Sequence, residues 1–350
     1  MFFILGIIAV RIKSDLKIPD QIITIISIYL LAAIGLHGGI EMRKVGLESM
    51  IIPLGAAVGM TILFVIFKYQ ILRRIGKLNI FDSAAIAGTY GSVSVGTFSV
   101  GLSFLRTQGI EAEGFMAAIL AVLEPTGLIM GLMLANIATV KSSKLKNTKS
   151  DSKTQIEDKE KITELITQPT ENVKFRDTIK ETITGQAILI LLSTIVIGFL
   201  IGYDGFQKIK IVYEDAFIGV LSIYLLQMGI IAAQRLDVIK KNGVFLLLFA
   251  IIIPIFTGSL GVFVATNIGL SVGGSLLFGL LLASASYIAA PAVLRTALPK
   301  ANPSLYLTTS LGITFPFNII VNIPILFALS VFLHNDLSST GILSIMETLR

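Results

Sequence analysis

Two stretches of small and hydroxyl-bearing residues, each set in an apolar run, are where this chain could do chemistry. The first reads Ala87-Gly88-Thr89-Tyr90-Gly91-Ser92-Val93-Ser94-Val95-Gly96-Thr97-Phe98-Ser99-Val100-Gly101, the second Ser284-Ala285-Ser286-Tyr287-Ile288-Ala289-Ala290-Pro291. A glycine lowers helix propensity by about 1 kcal/mol relative to alanine, and Pro291 removes a backbone donor, so both stretches are expected to unwind within helices. In a bilayer, unwound backbone survives only where protein buries it or a cavity hydrates it. Two broken helices that meet aim their N-terminal N–H groups at a shared point, which suits a small anion. Freed carbonyls and hydroxyls suit a cation such as sodium. The candidate binding residues are Ser92, Ser94, Gly96 and Thr97 in the first stretch, and Ser284, Ser286, Tyr287, Ala289, Ala290 and Pro291 in the second. Ser94, Thr97 and Ser286 are the expected sodium ligands. Close helix packing is the competing role for any single small residue here.

Glu124 adds a carboxylate. It lies inside the apolar run 117–134 and is followed by Pro125. An ionisable group at that depth costs at least roughly 2.5 kcal/mol unless paired or hydrated, which makes it a functional candidate. A helix-end carboxylate reaching a partner is the alternative. Asn318 and Asn322, near Pro316 and Pro324, are candidates either for ion contact or for hydrogen bonds between helices. His37 and His334 have no metal-ligand spacing and read as interfacial. There is no cysteine, hence no thiolate metal site. No nucleophile elbow, phosphate loop or zinc motif occurs, so neither a catalytic residue nor a cofactor is expected, apart from a transported sodium ion.

The elements that must position these residues are membrane helices. The chain is 54% hydrophobic and 14% charged, with a mean hydropathy of +0.86, too apolar for a soluble domain. The periodicity predicts ten spans, at 1–12, 19–40, 48–72, 81–105, 114–140, 181–203, 213–234, 243–267, 271–297 and 303–333. The first resembles a signal-peptide core but lacks a basic leader and a cleavage site, since Arg11, Lys13 and Asp15 follow it. As helix it rises only about 16 Å, so either Lys13 and Lys17 reach to the interface or a longer native N-terminus completes it.

The spans divide into two halves that echo each other. Ser27-Ile28-Tyr29-Leu30-Leu31 recurs as Ser222-Ile223-Tyr224-Leu225-Leu226, and the same offset lays 88–94 onto 283–289. The expected organisation is a first five-span repeat at 1–140, a polar and disordered cytoplasmic linker at 141–180, a second repeat at 181–335 and a tail at 336–350. A short helix near 156–166 is possible within the linker. Lys and Arg concentrate on the linker's side of the membrane, among them Lys68, Arg73, Arg74 and Lys77 after the third span, as the positive-inside rule requires. The net charge of +6 is thereby explained by lipid rather than nucleic acid. Five spans is an odd number, so the second half enters inverted, and the two broken helices cross at the midplane.

Arg295-Thr296-Ala297-Leu298-Pro299-Lys300-Ala301-Asn302-Pro303-Ser304-Leu305-Tyr306, together with Ile18-Pro19, 34–39 and 134–137, resembles the pattern of the sodium-dependent bicarbonate permeases, the SbtA-like family. That resemblance implies an inverted five-plus-five fold, a trimer in the inner (plasma) membrane, sodium-coupled bicarbonate uptake, and a small PII-like cytoplasmic partner that blocks it. The chain departs from the pattern at the site. Tyr287 stands where the family has Asp, Ala289 and Ala290 where it has Ser and Gly, Val95-Gly96 where it has Gly-Ser, and Glu124 where it has Asp. Uptake of another small anion coupled to protons, a channel and a non-transporting membrane sensor are the alternatives.

Overall fold

The computed structural model describes residues 1–46, 48–150, 186–239 and 243–339, and these are all-helical with no strand. The first part contains α1 (Phe2–Arg11), α2 (Asp20–Val45), α3 (Ile51–Arg74), α4 (Ile80–Thr89), α5 (Val95–Thr107) and α6 (Met116–Ser150). The second contains α7 (Gln186–Gln207), α8 (Phe217–Ile239), α9 (Gly243–Asn267), α10 (Val272–Ala283) and α11 (Ala289–Ala297). A final rod follows, built from α12 (Pro303–Leu307), a π-helical turn (Thr308–Thr314), α13 (Phe315–Phe317), a second π turn (Asn318–Asn322) and α14 (Ile323–Ser339).

Seven of these helical stretches are long and apolar enough to cross a membrane. The three expected spans without such a helix have physical reasons. Residues 1–12 form the short α1, while 81–105 and 271–297 are each split into two shorter helices, α4/α5 and α10/α11. The helix begun at Met116 continues to Ser150, ten residues into the segment read as linker. The remainder of that linker, the short helix expected within it, and most of the expected tail lie outside the described residues.

Helices pack through glycine wherever two backbones must touch. Between α1 and α8, a Cβ on Gly6 would lie 2.2 Å from the Leu226 carbonyl oxygen, and one on Gly229 2.0 Å from that of Phe3. Between α2 and α7, Gly39 faces the Ile195 carbonyl and Gly198 that of Leu36. The first and second parts of the chain therefore interlock, α1 with α8 and α2 with α7. Within α7, Gly202 takes φ 61°, a left-handed value costly for other residues. The guanidinium of Arg43 donates to the carbonyls of Phe199 and Leu200 just before it, at 3.3 and 3.0 Å.

The final rod answers its prolines with π turns. Pro316 and Pro324 lack the N–H that would bond back along the helix, and each follows a π turn that opens the hydrogen-bond ladder by one residue. Asn318 uses the opening to reach another helix, donating Nδ2 to the Ala283 carbonyl at 3.0 Å, and Asn322 donates to Asn318 Oδ1 at 2.9 Å. Asn318 thus takes the interhelical role.

Two carboxylates tie helix starts together at opposite ends of the bundle. Asn79 caps α4, its Oδ1 accepting from Asp82 N at 2.8 Å, while Asp82 Oδ1 accepts from Asn302 N at 2.7 Å. Asn302 in turn caps α12 by accepting from Ser304 N at 3.0 Å. At the other end Glu113, just before α6, accepts from Ser271 N at 2.6 Å and Ser271 Oγ at 3.0 Å, and Ser271 caps α10. The Ala-Asn-Pro-Ser segment is therefore a joint between α12 and the start of α4. Gly88 meets Gly131 and Gly91 meets Gly127, so α4 runs antiparallel to α6, and with α10 tied at the start of α6 the helices α4 and α10 set out from opposite ends.

The tightest backbone approach joins α6 to the break after α4. A Cβ on Gly127 would lie 1.9 Å from Gly91 C and 2.1 Å from Ser92 N, with nowhere to move. Gly59 on α3 has nothing within 4 Å of its Cβ position. Gly127→Ala should lower the thermal midpoint of the purified protein in detergent. Gly59→Ala should leave it unchanged or raise stability by up to about 1 kcal/mol. Equal midpoints for the two variants would show that the α6 contact is not tight.

Candidate functional site

Both hydroxyl-rich stretches are broken, and the breaks touch. Residues 90–94 separate α4 from α5, and 284–288 separate α10 from α11. Ser286 N donates to the Thr89 carbonyl at 2.9 Å, and Ser94 N donates to Ser284 Oγ at 3.0 Å. Each segment thus satisfies a backbone N–H of the other, the first through the Thr89 carbonyl and the second through the Ser284 hydroxyl, which is the condition for burying irregular backbone.

Both following helices begin at this contact. Ser94 caps α5, its Oγ accepting from Thr97 N at 3.1 Å, and Ser286 Oγ accepts from Ala290 N at 3.1 Å in the first turn of α11. Pro291 does not break a helix, as the sequence suggested; it sits in that first turn, where its missing N–H would have no helical partner in any case. Ala289 and Ala290 complete the same turn. The unwinding lies just upstream, in 284–288.

Several hydroxyls at the crossing have no protein partner. The side-chain oxygens of Thr89, Ser92 and Thr97 are buried without a hydrogen bond among the described residues. A buried polar group left unpaired costs about 1–3 kcal/mol, so three together in one segment mark a place prepared for something polar. Ser99, by contrast, spends its Oγ on the Val95 carbonyl of its own helix at 2.8 Å.

Tyr287 fills the space beside them. Its phenol oxygen meets that of Tyr224 from α8 at 2.8 Å, and its ring packs edge-on against Phe315 with centroids 5.0 Å apart. A Cβ on Gly96 would lie 2.2 Å from the Tyr287 oxygen and 2.8 Å from Tyr224 Cε1. Only glycine at 96 admits the phenol.

A cavity of about 480 Å³ opens against this crossing, between α2, α6 and α8. Glu124, Val95, Tyr224, Tyr287 and Ala289 line it, with Ser27 and Ile28 from the repeated pentapeptide. Most of its other walls are aliphatic. Glu124 is 2% exposed and its Oε2 has no partner among the described residues. The structure therefore brings Ser92, Ser94, Gly96, Thr97, Ser284, Ser286 and Tyr287 together at the crossing, and places Glu124 on the wall of the adjoining cavity. No group of three or more His, Asp or Glu that could hold a resident metal occurs among the described residues. His37 instead packs edge-on against Phe206, 3.6 Å from Glu214, and His334 contacts the Ser330 and Leu270 carbonyls.

Two participants escaped the sequence reading. Tyr224 was visible only as part of the repeated pentapeptide. Lys68, read as a cation on the membrane's inner face, is 1% exposed, and its Nζ donates to the Tyr90 carbonyl at 2.5 Å. Its apolar neighbours Leu63-Phe64-Val65-Ile66-Phe67 were the signal.

An ion held at the crossing would use the free Thr97 hydroxyl and not that of Ser99. Thr97→Ala should reduce the sodium-specific rise in thermal midpoint, with a loss of about 1.5–3 kcal/mol for a hydrogen-bond-strength contact to a charge, or at least roughly tenfold in affinity. Ser99→Ala should retain the shift. An unchanged shift in Thr97→Ala would remove Thr97 from the ligand set.

Comparison with individually curated proteins returns no match. A family profile does match, across residues 1–331, and so covers the breaks, the cavity and most of the terminal rod. On that evidence, and with seven helices fit to cross a membrane, this multi-pass membrane protein belongs to the Na⁺-dependent bicarbonate transporter superfamily.

Proposed function

We propose that the chain is a secondary transporter that takes up bicarbonate, or a similar small anion, together with sodium by alternating access. The observation that carries this reading is the crossing itself, where two helix N-termini and three unpaired hydroxyls meet beside a cavity. Helix N-termini favour an anion, and hydroxyls with freed carbonyls favour sodium. That α4 and α10 set out from opposite ends supports an arrangement of ten spans in two inverted repeats, with the crossing near the membrane midplane. Assembly as a trimer in the plasma membrane, and regulation by a PII-like partner on the cytoplasmic face, belong to the same proposal and rest on the family resemblance.

The residues assign the steps. Ser94, Thr97 and Ser286 hold sodium with neutral oxygens, and the first turns of α5 and α11 present N–H groups to the anion. Tyr287 replaces a full negative charge with a phenol that remains neutral at ordinary pH. Sodium held without that charge should bind weakly, so a high concentration should be needed for half-maximal uptake. Glu124, lining the cavity with an Oε2 that has no partner among the described residues, favours a second reading in which a proton on its carboxylate drives uptake.

Liposomes carrying the purified protein should accumulate radiolabelled bicarbonate when an inward sodium gradient is imposed, and not with potassium in its place. Uptake that ignores the sodium gradient would sink the coupled mechanism. Tyr287→Asp should lower the half-saturating sodium concentration. If it leaves sodium dependence unchanged while Glu124→Gln abolishes uptake, the proton reading replaces the sodium one.

A further inference from the structure

Lys68 is used by none of the steps above, yet it sits at the same break. Its Nζ donates to the carbonyl of Tyr90, the residue capping the C-terminal end of α4. The rings of Phe64 and Tyr90 lie with their centroids 5.8 and 5.9 Å from that nitrogen. No carboxylate forms an ion pair with it among the described residues. An amine therefore stands at the negative end of a half-helix, between two aromatic rings and without an acidic partner among the described residues.

The second break shows that such a charge is not required to cap a half-helix. There the last carbonyl of α10, that of Ala283, is met by the neutral amide of Asn318 at 3.0 Å. Burying an ammonium costs several kcal/mol more than burying an amide. Protonated, that amine adds what the amide cannot, a full positive charge at the mouth of α4. In transporters with interrupted helices, half-helix C-termini and unwound carbonyls are the positions that coordinate a co-transported cation.

We propose that Lys68 is a tethered cation occupying a position that an alkali ion would otherwise fill at the first break, so that the protein requires one sodium ion fewer per cycle. The charge it supplies balances the negative end of α4 and the anion held at the neighbouring helix N-termini. The sodium held by Ser94, Thr97 and Ser286 is separate from it. This inference rests on the transport reading for its consequence, but its test does not.

The experiment compares thermal midpoints of the wild type, Lys68→Gln, Lys68→Met and Lys68→Arg in sodium chloride and potassium chloride at equal concentration. Gln keeps a donor without the charge, as Asn318 does at the other break. Lys68→Gln and Lys68→Met should lose stability in potassium and recover it in sodium, giving a larger sodium-specific shift than the wild type. Lys68→Arg should behave as the wild type. In liposomes, the sodium dependence of bicarbonate uptake by Lys68→Gln should become steeper. The idea is overturned if both neutral variants lose stability equally in the two salts, if both fail to fold in either, or if their sodium shift matches the wild type; Lys68 is then a structural cap. Because the melting comparison needs no flux, a protein that moves no bicarbonate can still pass it. A transporting wild type whose Lys68 variants gain no sodium response defeats this inference alone.

Discussion

Backbone N–H and C=O groups that leave a helix inside hydrocarbon have no water to bond, and the architecture of this protein follows from meeting that demand twice in one place. The breaks at 90–94 and 284–288 satisfy each other through Ser286 N to the Thr89 carbonyl and Ser94 N to Ser284 Oγ. Neither break is tolerable alone, so their mutual position is set within hydrogen-bond tolerance. The rest of the fold holds them there. Gly91 and Gly127 bring α6 against the first break, Asn318 reaches the end of α10, and the carboxylates of Asp82 and Glu113 pin the outer ends of the broken helices. Four independent supports converge on one contact.

Much of this was legible in the sequence because the determinants are local. Gly88, Gly91, Gly96 and Gly101 interleaved with hydroxyls mark a helix unable to stay regular. The aliphatic runs gave span positions in the same way. What stayed hidden depends on partners far along the chain. Lys68 lies near Arg73, Arg74 and Lys77 in sequence, so charge counting grouped it with them, whereas the rotation of α3 buries it against Tyr90. Gly127 is an ordinary helix glycine until Gly91 is brought to it. Pro291 looked like the breaker because proline usually is, but at the first turn of α11 it is compatible with the helix. The cavity, assembled from α2, α6 and α8, has no linear signature.

The two sets of helices are joined differently, and this bears on the proposed transport cycle. The broken helices and the terminal rod are cross-linked by side-chain hydrogen bonds at both ends and in the middle. The α1–α8 and α2–α7 pairs are held by glycine-mediated backbone approach, with Arg43 adding hydrogen bonds from α2 to α7. The cavity lies along the seam between these regions, lined by α2 and α8 on one side and by Glu124, Val95 and Tyr287 on the other. Two differently joined units meeting at a cavity are what the proposed alternating access would use.

The fit of Tyr287 into the space left by Gly96 has a consequence for how such a site can change over generations. Any side chain at 96 collides with the phenol oxygen, since even a Cβ would come within 2.2 Å of it. Shrinking Tyr287 to a carboxylate, conversely, would open a void the size of an aromatic ring beside unpaired hydroxyls, large and polar enough to admit water. The two positions are therefore epistatic. Lineages that exchange an aromatic for an acidic residue at 287 can enlarge 96 only afterwards, and those travelling the other way must empty 96 first.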